Sequence, residues 1–331
     1  SIYNLSNPFV CLYCGVIKMT KTLPRLVIVM PCYNEAEILP STADRMENLL
    51  EDMVKAGLTS ADSRVCLVDD GSKDQTGEII KKICGKTKYF TSLTLSRNFG
   101  QQAAILAGLF NNEADLYVTI DADLQDDPEV IKEMVAEAEK GCDIVYGVRD
   151  NRDSDSFFKK YTALGFYKLM RLLGIKTVYN HSEFRLMSRR AVEALRQFPE
   201  RNLFVRAMVP LVGFKSSEVY YRRLPRTAGE TKYPLSKMLA LAWDGVSSFS
   251  IVPLRLVTFT GFAMCLLSLL FLGLMFYWWA VGKTVHGWFS LVTIITVFSG
   301  VQLVSLGVIG EYVAKIFIEV KRRPLYIVDE Q

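Results

Sequence analysis

The sequence predicts an α/β chain: a mostly parallel sheet with helices on both faces, followed by amphipathic segments and two transmembrane helices. Three observations carry this reading. From Arg25 to about Gly147, short β-branched runs alternate with stretches whose apolar residues recur at helical spacing. Polar and acidic residues gather just after each β-branched run. Far along the chain, Leu256 to Gly282 and Thr284 to Gly310 are each free of charge over 27 residues. With 331 residues, 50% of them hydrophobic, and a net charge of only +4, a disordered chain is excluded.

In chain order, residues 1–18 come first and read as an arm of unknown role. They are apolar but lack a basic leading region, contain Pro8, and run into Met19-Thr-Lys, so they make a poor secretory signal. Five strands are expected at Arg25–Met30, Val65–Val68, Ser92–Leu95, Leu116–Ile120 and Asp143–Tyr146. Helices are expected over Ala36–Ala56, Gln75–Cys84, Gln101–Asn111 and Pro128–Lys140, with Pro128 suited to a first turn. Alternation of this kind gives βαβ units and hence a parallel sheet. Cys32, Cys66, Cys84 and Cys142, scattered through it, read as reduced buried thiols. Cys11 and Cys14 have metal-site spacing, but no second pair follows and the chain has only His181 and His286, so a closed zinc site lacks ligands.

Parallel sheets of this type bind ligands beyond the carboxyl ends of their strands. The first four expected strands end in Pro31-Cys-Tyr-Asn-Glu35, Asp69-Asp-Gly-Ser-Lys-Asp-Gln-Thr76, Ser96-Arg-Asn-Phe-Gly100 and Asp121-Ala-Asp-Leu-Gln-Asp-Asp127. Asp121 and Asp123 fall on one side of an extended segment. Two hard oxygen ligands with nothing soft beside them suit Mg2+ or Mn2+, completed by phosphate oxygens and water. Acidic loops also make turns and helix caps, a role open to Asp126 and Asp127 ahead of Pro128. Walker, GxGxxG and GxSxG motifs are missing, which excludes a P-loop and disfavours a dinucleotide fold or a serine-hydrolase elbow.

Either long uncharged run can span the ~30 Å hydrocarbon core of a bilayer. Tyr277, Trp278, Trp279 and Trp288 cluster at the turn between them, as interfacial aromatics do. Lys237 and Arg255 precede the pair and Lys315, Lys321, Arg322 and Arg323 follow it, while the turn holds only Lys283. The expected arrangement is an integral membrane protein of two spans with both ends cytoplasmic. Residues 157–237 hold 17 Lys and Arg against five Glu, so they carry +12 while the rest carries −8. A basic half beside a bilayer points to an anionic partner at the membrane surface; no nucleic-acid motif accompanies it, so no nucleic acid is expected.

The order PxYNE, VDDGSxDxT, LSRNFG and DADLQDDPE, over Leu26 to Arg149, resembles the inverting family-2 glycosyltransferases, whose nucleotide-sugar domain has the GT-A (Rossmann-like) fold. Later features narrow the resemblance: Gly147-Val-Arg149, the basic stretch Phe157 to Leu173, Glu183-Phe-Arg-Leu-Met-Ser-Arg189, Arg226-Thr-Ala-Gly-Glu-Thr-Lys-Tyr233 and Ser248 to Arg255. Together they are similar to the polyprenyl-phosphate glycosyltransferases, the group that contains dolichyl-phosphate mannose synthase and bacterial undecaprenyl-phosphate glucosyltransferases.

The resemblance implies roles. Pro31, Tyr33, Glu35, Asp69, Asp70, Arg97, Asp121, Ala122, Asp123 and Gln125 would bind the nucleotide sugar, with Asp121, Asp123 and Gln125 at a Mg2+ or Mn2+ ion. Asp121, Asp123, Arg149 and Glu183 would be catalytic, with Glu183 standing where the family often has Asp, and acting either at the anomeric centre or by orienting Arg185. Arg149, Lys159, Arg185, Arg226 and Lys232 would grip a lipid phosphate such as undecaprenyl or dolichyl phosphate. UDP-glucose is the favoured donor; GDP-mannose or UDP-N-acetylglucosamine would use the same motifs. A homo-oligomer, with a tetramer among the forms the layout allows, is implied as well. A processive polysaccharide synthase fits less well, because the QxxRW segment is missing. A non-catalytic membrane assembly protein is disfavoured by the intact Asp69, Asp70, Asp121, Asp123 and Arg149. The chain thus divides into a GT-A domain over 19–233, an amphipathic juxtamembrane helix over 234–250, a two-helix membrane hairpin over 251–314 and a cytoplasmic tail over 315–331.

Overall fold

A computed structural model of the chain describes residues 22–123, 125–149, 181–201, 205–222, 252–282 and 287–331. The arm, the basic stretch Phe157 to Leu173 and the segment 234–250 lie outside them. All five expected strands form: β1 (Leu26–Cys32), β2 (Arg64–Asp69), β3 (Phe90–Leu95), β4 (Leu116–Thr119) and β5 (Ile144–Arg149). The four expected helices alternate with them as α1 (Leu39–Lys55), α2 (Thr76–Lys86), α3 (Gln101–Phe110) and α4 (Val130–Glu139). Helix α1 starts three residues later than its apolar pattern, with proline in its first turn, where a missing N–H is harmless.

Beyond β5 come β6 (His181–Ser188), α5 (Arg189–Arg196), α6 (Val205–Leu211) and β7 (Ser216–Tyr221). Then follow α7 (Val252–Ala280), α8 (Trp288–Lys321) and β8 (Val328–Glu330). The described strands form one sheet in the order β7-β5-β6-β4-β1-β2-β3-β8. Strands β1 to β4 run parallel, β5 pairs parallel with β7, and only β6 and β8 run against their neighbours. Strand β6 was not legible as a strand because its Glu183 and Arg185 share a face and neutralise one another inside the sheet.

Both faces of the sheet are covered, which is why β1 and β2 read as nearly unbroken apolar runs. Helices α1, α2 and α4 bury Leu39, Met46, Ile80 and Met134 on one face. On the other, α3, α5 and α6 bury Ile105, Val192 and Met208. Helix α3 lies so close that a Cβ on Gly108 would come within 2.2 Å of Val29, so glycine at that position sets the depth of the helix. Cys32, Cys66 and Cys142 are buried free thiols, as expected, and Cys84 is half-buried.

Helices α7 and α8 are long and apolar enough to cross a membrane over Val252–Trp278 and Val297–Lys321. At ~1.5 Å per residue a helix of 34 residues such as α8 is about 51 Å long, well beyond the hydrocarbon core. In its charged final turns Glu319 accepts the Arg201 backbone N–H at 2.9 and 3.0 Å. Residues 315–331, expected as a tail, carry ordered structure. They complete α8, turn at Arg322 in a left-handed conformation, and pair as β8 with β3 at the edge of the sheet.

Candidate active site

The strand ends form one continuous rim, held by hydrogen bonds between neighbouring loops. Beyond β1, Asn34 adopts a left-handed conformation with a φ of 55°. It donates its N–H to Ser72 Oγ at 3.1 Å and accepts the Lys73 N–H at 2.9 Å. The Glu35 N–H reaches Thr76 Oγ1 at 2.9 Å. Tyr33, 40% exposed, is left at the surface of this loop with its ring available as a flat apolar face.

Asp69 is buried and accepts the Ser72 N–H at 2.9 Å, a turn-closing role. Asp70 is 2% exposed, and its two oxygens accept the Phe99 and Gly100 N–H groups at 2.7 and 2.9 Å. Through these two contacts it braces the loop after β3. Burial raises its pKa, opposed by those two N–H donors. Gly71, with a φ of +65°, packs on the same loop, where a Cβ would meet the Arg97 carbonyl carbon at 2.4 Å. Arg97 itself is exposed, its guanidinium 4.0 Å above the Phe99 ring.

After β4, Asp121 accepts Gln101 Nε2 at 2.7 Å. Its carboxyl is pushed up to about 7 by burial and by Asp126, Glu183 and Asp123, with Arg149 opposing. Ala122 is buried and its carbonyl accepts the Thr42 hydroxyl at 3.0 Å. Asp123 accepts the Gln125 N–H at 3.2 Å. The Gln125 side chain is buried, and its Nε2 has no hydrogen-bond partner among the described residues. Asp127 closes the turn onto the Glu129 N–H and pairs with Arg45 at 2.8 Å. Asp126 instead faces inward, holding Arg149 and the Tyr221 hydroxyl. Among the described residues no three of His, Cys, Asp and Glu converge as a metal-binding set.

Glu183 on β6 faces the same rim from below. Its carboxylate takes Arg185 on one oxygen; the other accepts Gln102 Nε2 and Arg206 Nε, each at 3.2 Å. Arg185 is 1% exposed and also donates to the Val205 carbonyl at 3.4 Å. Arg185, expected among the phosphate-gripping cations, is thus engaged by Glu183 within the sheet. Arg149 likewise spends its guanidinium on Asp126 and Tyr221. Lys159, Arg226 and Lys232 lie outside the described residues.

Sequence reasoning missed Gln101, Gln102 and Arg206. A signal for the first two existed: they are the polar opening of a helix whose next seven residues are all buried. Arg206 gave none, because its approach to Glu183 depends on how α6 packs.

A protein-family model described as Glycosyl transferase family 2 matches residues 27–196, half of the chain, which include every strand-end loop above. The chain belongs to glycosyltransferase family 2. Its fold is the GT-A α/β sheet expected from the motifs. Within family 2, the Bacillus subtilis glycosyltransferase YkoT is 47% identical over 94% of this chain and 93% of its own length. The bactoprenol glucosyl transferase of Shigella phage SfII is 37% identical over 92% of this chain and 97% of its own. Both matches extend past the family-2 domain into the apolar helices. Among solved structures, a Pyrobaculum calidifontis mannosyltransferase in complex with GDP-Man and Mn2+ aligns at a TM-score of 0.45 and 17% identity, over 69% of this chain and 71% of that one.

Proposed function

We propose that the chain transfers a hexose, with UDP-glucose the favoured donor, to a polyprenyl phosphate at the cytoplasmic membrane face. The observation that carries this reading is the near full-length similarity, membrane helices included, to proteins named bactoprenol glucosyl transferase. The acidic rim supports it from the side of chemistry. A lipid phosphate is already anionic near neutral pH, so it needs aiming and not deprotonation. One of its oxygens attacks the anomeric carbon in line, the carbon–oxygen bond to the diphosphate breaks, and the nucleoside diphosphate leaves with that electron pair. The sugar inverts, and no proton changes hands.

In this reading Tyr33 stacks on the base, Glu35 and Asp69 line the nucleotide pocket, and Arg97 faces the phosphates. Asp121 and Asp123 fit a Mg2+ or Mn2+ ion, since two hard carboxylates in a patch of surplus negative charge lack only phosphate oxygens and water. Gln125, two residues beyond Asp123, would complete the set through its side-chain carbonyl. When bound, the metal neutralises charge on the leaving diphosphate. Gln101 holds the Asp121 carboxylate in place, and Glu183, fixed by Arg185, Arg206 and Gln102, sets the floor beneath the sugar. The basic segment 157–237 and the ends of the two apolar helices support a cytoplasmic placement of this domain.

The test is transfer from a panel of nucleotide sugars to undecaprenyl phosphate by the detergent-solubilised chain, with mass and NMR detection of the lipid product. A β-linked glucosyl lipid is expected, and Asp123→Ala should lower its formation by at least about 100-fold, the scale of losing electrostatic stabilisation. Diphosphate release that needs no lipid, or an α-linked product, overturns the reading.

A further inference from the structure

A cavity of about 800 Å3 lies between the strand-end rim and the last turns of α8. From the sheet side it is lined by Arg97, Gln101, Glu183, Arg201 and Arg206; from the membrane side, by Phe317, Ile318, Lys321 and Arg323. Its charge is one-sided. Glu183 is met by Arg185 and Arg206, whereas Arg97, Arg201, Lys321 and Arg323 make no ion pair among the described residues. Arg201 Nε is moreover buried without a hydrogen-bond partner among them. The left-handed turn at Arg322 separates Lys321 from Arg323, and both line the cavity while Arg322 does not.

We propose that this cavity seats the phosphate of the lipid acceptor, and that Lys321 and Arg323 are its binding cations on the membrane side. The inference rests on the transfer reading above and deepens it. Lys321 ends the candidate span Val297–Lys321 and Arg323 follows it two residues on, where basic residues flanking a span are commonly found. A phosphate entering between α8 and the sheet reaches the acidic rim while its isoprenoid chain stays in the bilayer. Phe317 and Ile318 flank the cations and offer the first chain units an apolar wall. Arg149 and Arg185, the cations expected for this task, are engaged by Asp126 and Glu183.

The same cations could meet the diphosphate of the donor, so the experiment varies both substrates. The full chain in detergent is compared with K321Q/R323Q and with R322N, which removes a neighbouring charge and keeps a residue tolerant of left-handed backbone. Loss of two charge-assisted contacts on a partly exposed site should raise KM for undecaprenyl phosphate about tenfold, with KM for UDP-glucose and kcat moving by less than about twofold. R322N should match the parent. An unchanged lipid KM, or an equal rise in the UDP-glucose KM, overturns the proposal. If the parent transfers no sugar to lipid at all, the transfer reading fails, and the cavity is judged by binding alone. Undecaprenyl phosphate should then raise the melting temperature of the parent more than undecaprenol does, and K321Q/R323Q should lose the difference. No phosphate-dependent rise, or an equal rise with inorganic phosphate, overturns it.

Discussion

Asp126 holds the Arg149 guanidinium with both carboxylate oxygens, at 3.0 and 3.2 Å from Nη2, while the Tyr221 hydroxyl donates to the first of them at 2.7 Å. The carboxylate is 2% exposed and the guanidinium 24%. Removing one partner strands a charge that is largely out of water. Asp126→Ala should therefore destabilise the fold by about 3 kcal/mol, moderated because Arg149 keeps some solvent. Adding Arg149→Ala should recover part of that loss, and a double-mutant cycle in denaturant checks it.

The raised pKa of Asp121 gives a pH dependence with a definite sign. Its folded value of about 7 lies above its ordinary value of 3.8, so between the two the folded chain binds the extra proton. The contribution of this group to metal-free stability is therefore largest at low pH and is lost as pH rises through 7. A divalent cation competes with that proton. Mn2+ should raise the melting temperature more at pH 8 than at pH 6, and Asp121→Asn should abolish the difference.

Gln101 donates to Asp121 at 2.7 Å from the first turn of α3. Gln101→Ala should leave the fold intact but lower kcat about tenfold, as misplacement of a reacting group does. Gln101→Glu should be worse, because it adds a negative charge to a carboxylate cluster. Steady-state kinetics with both substrates varied distinguish this from a binding defect.

At Gly71 the left-handed backbone and the 2.4 Å approach to Arg97 act together. Gly71→Ala should cost more than about 1 kcal/mol, the ordinary strain of that conformation, because the loop after β3 must also move. A rise in KM for the nucleotide sugar should accompany the fall in melting temperature.

The parallel sheet, its helices and the acidic rim were legible because each follows from local pattern: β-branched runs between turn residues, then helical periodicity. The two long apolar helices were legible from uncharged length alone. What was not legible depends on partners distant in sequence. Arg206 looks like any surface arginine until the packing of α6 brings it to Glu183, 23 residues back in the chain. The contacts of Asp70 with the Phe99 and Gly100 amides likewise join residues 29 and 30 apart in the chain. Strand β8 escaped notice because three residues after a Pro carry no periodicity; its place is fixed by the edge of β3.

Strand β8 follows both apolar helices in the chain, yet it supplies the outer rung of a sheet whose other strands all precede them. During synthesis, β3 must wait with its edge open until both hydrophobic segments have left the ribosome. Emergence of the two apolar helices and completion of the sheet are thereby coupled in time, and a copy stalled before α8 is complete would have an unfinished sheet and no cavity.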